Sequence, residues 1–163
     1  MALDSYVNLK ASIRNWSHRN DIPDELIDDF IVLTETAMWQ LLEVRDMSAR
    51  STASMGPDRF LALPDEFIKM RRLSILTSGR VIDLKYATPE SMQIVSTTSQ
   101  PRFFTVTTQL EFDRVPDSTY DVEMTYFKEL TPLSDSNTTN GVLTRFPDVY
   151  LSGALHYLFK WGA

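Results

Sequence analysis

Apolar residues at Tyr6, Leu9, Ile13 and Trp16 recur at spacings of three, four and three, with Asn8, Lys10, Ser12 and Arg14 between them. That period predicts a short amphipathic helix, with Asp4 or Ser5 as its N-cap. The polar run Ser17 to Asp21 interrupts it, and Pro23, Asp24 and Glu25 then open a second, longer helix, since proline suits a first turn and acids complement the N-terminal end of the helix dipole. Ile27, Phe30, Thr34, Ala37, Leu41 and Val44 keep the 3.6-residue period, and Leu26, Leu33 and Met38 widen the stripe. At Met47 the period drops to two. Met47, Ala49, Ser51, Ala53 and Met55 alternate with Ser48, Arg50, Thr52 and Ser54, a strand of low apolar content expected at a sheet edge, closed by Gly56-Pro57-Asp58.

Phe60 to Leu63 predicts a second short strand, stopped at Pro64. Leu73 to Leu76 and Val81 to Leu84 flank Thr77-Ser78-Gly79-Arg80, the pattern of a hairpin, and Thr88-Pro89-Glu90 suggests a short helix over Pro89 to Ile94. Tyr120 to Tyr126 alternates strictly between apolar and polar positions, and Leu110 to Asp113 does so more briefly. Paired as a hairpin with both apolar sets inward, these two runs would set Phe112 opposite Val122 or Met124. The same pairing would gather Glu111, Asp113, Asp121 and Glu123 on the opposite face, where facing like charges need solvent or a partner. A polar connection follows from Leu130. The last helix is expected from Pro147 to the chain end, with Val149, Tyr150, Gly153, Ala154, Tyr157, Leu158 and Trp161 on one broad face. The reading is an α+β chain: N-terminal helices over residues 1–46, an antiparallel β region with a short helix over 47–130, a loop over 131–146, and a C-terminal helix over 147–163 that forms a small bundle with the first two.

Composition narrows the chemistry. The chain has 163 residues, no cysteine, two histidines and a net charge of −6. Without cysteine there is no disulfide, thiolate metal site or thiol nucleophile. His18 and His156 are far apart in sequence and lack helical metal-ligand spacing, so His18 is read in an interhelical turn and His156 as a satisfied or surface residue. Five scattered glycines (Gly56, Gly79, Gly141, Gly153 and Gly162) build neither a phosphate-cradling loop nor a dinucleotide fingerprint, and no cofactor is expected. The opening Met1-Ala2-Leu3-Asp4 lacks the basic and apolar regions of a secretory signal, and no run of 18 apolar residues exists to span a membrane. Negative charge opposes a broad nucleic-acid-binding surface. Lys69-Met70-Arg71-Arg72 is a small basic cluster read as a solvated strand entry. The acid set leaves one enzymatic possibility, a carboxylate-dependent glycosidase, in which an acid and a base flank one bond.

Several strings in order resemble one family: Leu9 to Trp16 followed by the helix start at Ile27–Phe30, Phe60-Leu61-Ala62-Leu63-Pro64-Asp65-Glu66-Phe67, Gln100-Pro101-Arg102-Phe103-Phe104, Val122 to Phe127, Leu133-Ser134-Asp135, and Phe146 to Leu155. Together they resemble the head-to-tail adaptor (connector) proteins of tailed bacteriophages over nearly the whole chain. The resemblance implies a non-enzymatic virion protein, assembled in the host cytoplasm, that forms a ring, typically a dodecamer, beneath the portal protein; the alternative in that setting is a virion-associated carboxylate-dependent peptidoglycan hydrolase working through Glu111 and Glu123. It would bind a downstream tail or nozzle protein and pass DNA through its lumen as cargo, with no membrane partner. Family members usually carry a C-terminal extension into the portal, whereas this sequence stops at Trp161-Gly162-Ala163. In that setting Glu111, Asp113, Asp121 and Glu123 become candidates for a DNA-repelling lumen or a basic neighbouring subunit. Phe146, Tyr150, Tyr157 and Trp161 become candidate docking aromatics near the chain end.

Overall fold

A computed structural model describes residues 3–162; Met1, Ala2 and Ala163, at the ends of the expected first and last segments, lie outside the described residues. The chain divides into two units, one formed by residues 1–46 and 130–163, the other by residues 47–129.

The first unit is helical. α1 (Tyr6–Ser17) starts where the Ser5 hydroxyl accepts the Asn8 N–H and stops at His18, whose left-handed backbone (φ 55°) ends the helix in the expected turn. α2 (Asp24–Leu41) begins after Pro23, and Arg14 of α1 pairs with Asp24 in its first turn. α4 (Pro147–Trp161) follows a short α3 (Gly141–Arg145) that lies inside the segment expected to be a loop. The Asn140 side chain accepts the Leu143 N–H at 2.9 Å, so α3 carries its own cap despite its length. Leu9, Ile13, Ile27, Ile31, Leu143, Tyr150, Ala154 and Leu158 form the core. α2 and α4 approach closely because Gly153 has no side chain: a Cβ there would run into Thr34. The buried stripe of α2 is Ile27, Phe30, Ile31, Thr34, Glu35 and Met38, while Leu33 and Leu41 are exposed. The helical period holds, but position on the helix decides burial, so Glu35 goes in and two leucines stay out.

The second unit holds two four-stranded sheets around one core. The first, in order β1-β8-β3-β4, consists of β1 (Ser48–Met55), β3 (Phe67–Thr77), β4 (Arg80–Asp83) and β8 (Tyr120–Lys128), antiparallel throughout. The expected edge position of the Met47–Met55 run is observed. The β3–β4 hairpin turns at Gly79, whose φ of 77° favours glycine. The second, β2-β7-β6-β5, contains β2 (Phe60–Leu61), β5 (Lys85–Tyr86), β6 (Phe103–Val106) and β7 (Leu110–Phe112), with β5 and β6 parallel. Leu73, Ile75, Phe104, Leu110, Phe112, Val122 and Met124 meet between them.

Two expectations fail here. Leu110–Phe112 does not form a hairpin with Tyr120–Lys128: Phe112 pairs with Phe104, and β8 is central between β1 and β3. Alternation correctly marks the inward residues of both runs, but it fixes the buried face and not the partner, and seven residues, 113–119, suffice to reach the other sheet. The Pro89–Ile94 segment is a single turn, with the Ser91 and Met92 N–H groups both on the Thr88 carbonyl. Threonine and proline begin the turn, but no apolar stripe follows to bury a helix.

Candidate interaction surfaces

The four acids expected on one face are dispersed. Glu111, on β7, accepts from the Arg59 guanidinium at 2.5 Å. Asp113, 1% exposed, accepts the backbone N–H groups of Arg102 (3.0 Å) and Phe103 (3.2 Å) and both prongs of the Arg114 fork at 2.9 and 2.7 Å. This is a structural clasp holding β6 to the end of β7, with its charge and lone pairs engaged. Only Asp121 and Glu123 share a surface, the face of the first sheet that points away from the core. Ser54 donates to Asp121 at 2.7 Å, and Arg50 stands 3.6 Å from Glu123. Glu111 and Glu123, the pair the hydrolase reading would draw on, are therefore not brought together: they lie on different sheets and each faces an arginine.

Register orders that open face by charge. Ser54, Asp121, Leu76 and Val81 lie abreast, then Thr52, Glu123, Ser74 and Asp83, then Arg50, Thr125 and Arg72. Asp83 accepts from Arg72 at 2.7 Å and from the Ser74 hydroxyl at 2.8 Å, which holds its carboxyl below the usual range. Arg71 stacks on Phe127, its guanidinium 5.0 Å from the ring centre. The Lys69–Arg72 cluster thus supplies one end of the face, and acids the other.

The four candidate docking aromatics divide as well. Phe146 and Trp161 are half-exposed, and Trp161 lies 6.2 Å from the Phe30 ring. Tyr157 is half-buried beside His156. Tyr150 is 1% exposed, so it packs the core rather than offering a surface. Its hydroxyl donates to Glu35 Oε1 at 2.9 Å and accepts from Asn140 Nδ2 at 2.6 Å.

Glu35 is the residue that sequence reasoning missed. It is 1% exposed on α2, and the Leu133 N–H reaches the same Oε1 at 2.8 Å, while Oε2 has no hydrogen-bond partner. Burial pushes its carboxyl upward, only partly offset by these two donors, and it pushes the Tyr150 hydroxyl upward as well. A Glu in the i, i+4 and i+8 series from Ile27 and Ile31 is the one sequence signal that could have exposed it. Its role is to fasten the connection before α3 onto α2.

Among the described residues, no three His, Asp or Glu side chains are grouped to hold a metal ion, and no helix is long and apolar enough to cross a membrane. A family model described as SU10 adaptor protein matches residues 4–163. No curated protein matches the chain.

Proposed function

The chain belongs to the SU10 adaptor protein family, a phage head-to-tail adaptor family, and on that premise we propose that it assembles as a ring below the portal, joins head to tail and gives passage to DNA. The observation that carries this reading is the extent of the family match, which runs from residue 4 to residue 163 and so takes in both the helical and the sheet unit. Membership of an adaptor family points to a structural role in the virion and to contacts with portal and tail proteins.

In the proposed ring, twelve copies meet the portal above and a tail or nozzle protein below. Phe146 and Trp161 supply exposed aromatic area for docking, the kind of rigid anchor that concentrates binding energy in protein interfaces. Asp121 and Glu123 face either the lumen or a basic neighbouring subunit. A net charge of −6 keeps the duplex from adhering, because a protein surface that offers the phosphates no excess cations gains nothing from counterion release.

Mixing the purified chain with portal rings and imaging the product by electron microscopy tests the assignment. A second ring stacked coaxially on the portal is expected. A chain that stays monomeric by light scattering and leaves the portal undecorated would overturn it.

A further inference from the structure

The first sheet has two open edges, and they differ in a complementary way. β1 is eight residues long and runs against β8 with no bulge or register shift. It has no proline, and the residues it turns toward the core are Ala49, Ser51, Ala53 and Met55, three of them small. Among the described residues, no backbone hydrogen bond joins Ser48–Met55 to any segment besides β8. Natural sheets normally protect such an edge by proline, bulges, inward charge or brevity, and this one has none of these. At the other edge, β4 is exposed at all four positions, with Val81 56% and Ile82 37% accessible. Small residues line one edge and uncovered large apolar residues line the other.

We propose that the β1 edge of one copy pairs antiparallel with the β4 edge of a second copy, so that the first sheet continues from subunit to subunit. The inference rests on the ring reading and specifies where its subunits join. Strand sense supports it. Within the sheet, β1 and β3 run one way and β8 and β4 the other, so a neighbour in the same orientation brings β4 to β1 antiparallel, continuing the existing pattern. The same orientation keeps the core-facing and open faces of the two sheets aligned.

Ile75 faces the core and is paired with Ile82, which places Ile82 on the core side and Val81 and Asp83 on the open side. One register then satisfies both faces. Ile82 of the second copy lies opposite Ser51, one of the small inward residues of β1. Asp83 of the second copy lies opposite Arg50, a guanidinium on a 67% exposed side chain whose own acid, Glu123, is 3.6 Å away. Because different patches meet, the contact is heterologous and generates a ring wherever the rotation closes.

The absence of cysteine from the chain makes the test clean. Ser51→Cys and Ile82→Cys are combined in one chain, oxidised gently, alone and with portal rings, and run on non-reducing gels. Within one chain the two positions are three strand spacings apart and offset by two residues along the strand, more than about 14 Å, too far for a disulfide, whose Cα atoms lie within about 7 Å. The double variant is expected to give a ladder of cross-linked multimers, and each single variant none. Charge reversal gives an independent readout: Arg50→Asp or Asp83→Arg alone should reduce assembly at least tenfold by light scattering, and the two together should restore it. Assembly without a ladder and without charge rescue would overturn the edge pairing while leaving the ring reading intact. Cross-links that join this chain only to the portal would also overturn it, by giving β1 a different occupant. A chain that forms no multimer with or without portal would overturn both readings.

Discussion

Replacing Glu35 probes the densest buried polar contact of the helical unit. Two donors, the Leu133 N–H and the Tyr150 hydroxyl, converge on Oε1, and the carboxyl is 1% exposed. Glu35→Ala would orphan both donors, and a buried donor left without an acceptor costs about 1–3 kcal/mol, so the loss is about 2–6 kcal/mol in all. Glu35→Gln keeps one carbonyl oxygen for both donors and removes the charge, at the cost of an NH2 in the place of the unpartnered Oε2 that adds a pH-independent offset, so the pH dependence of the difference is the informative comparison. Burial raises the carboxyl in the folded chain, so as pH climbs past about 4.3, the ordinary glutamate value, the unfolded chain releases its proton first. The Glu35 contribution to stability is complete below that pH and declines as pH rises to the folded value. The Glu35→Gln variant has no such proton to lose. Urea unfolding of both proteins at half-unit steps across this window, read by circular dichroism, should show the variant gaining on the parent as pH rises and then holding a constant difference. The difference between the two curves cancels the other carboxylates. A pH-independent difference would refute the buried-charge argument, and a loss below about 1 kcal/mol in Glu35→Ala would refute the two-donor one.

Three further outcomes are expected. Asp113→Asn strips the Arg114 guanidinium of its buried counter-charge and should cost about 3–5 kcal/mol, read as a lowered urea midpoint with near-unchanged slope. Gly153→Ala drives a Cβ into Thr34 where α2 and α4 cross and should destabilise by about 1–3 kcal/mol; a thermal midpoint unchanged from the parent would contradict the close approach. Trp161→Ala should shift global stability by less than about 1 kcal/mol, because the ring is half-exposed, yet weaken co-sedimentation with portal rings; normal co-sedimentation would remove Trp161 from the docking surface.

Period and capping carried most of the helical unit. Ser5, Pro23 and Pro147 marked the starts of the three long helices because caps and first-turn proline are local chemistry. α3 escaped because five residues are too few for a period, although Asn140 stood in place as its cap. In the sheet unit, alternation identified Val122, Met124 and Phe112 as inward, but pairing is set by contacts distant in sequence that no local pattern encodes. The acidic face was lost for the same reason: once β7 and β8 belong to different sheets, Glu111 finds Arg59 and Asp113 finds Arg114, neither pair visible from alternation. Glu35 was hidden by its type, since a lone glutamate on an apolar stripe reads as solvated until the Tyr150 hydroxyl and the Leu133 amide are brought to it.

The sheet unit enters and leaves through adjacent strands: β1 begins and β8 ends side by side, with Ser48 opposite Phe127. Its 83 residues, 47–129, therefore act, once folded, as a short staple between the two halves of the helical unit. For a disordered insertion of that length, closing the helical unit would cost about 2–3 kcal/mol more than closing it over a four-residue loop, from the logarithmic dependence of loop entropy on length. Folding the sheet unit first removes that difference. The two units are thus coupled in time through the chain connections at residues 46–47 and 129–130, and an engineer could exchange the insert for a tight turn between Asp46 and Leu130 and leave the helices still able to find one another.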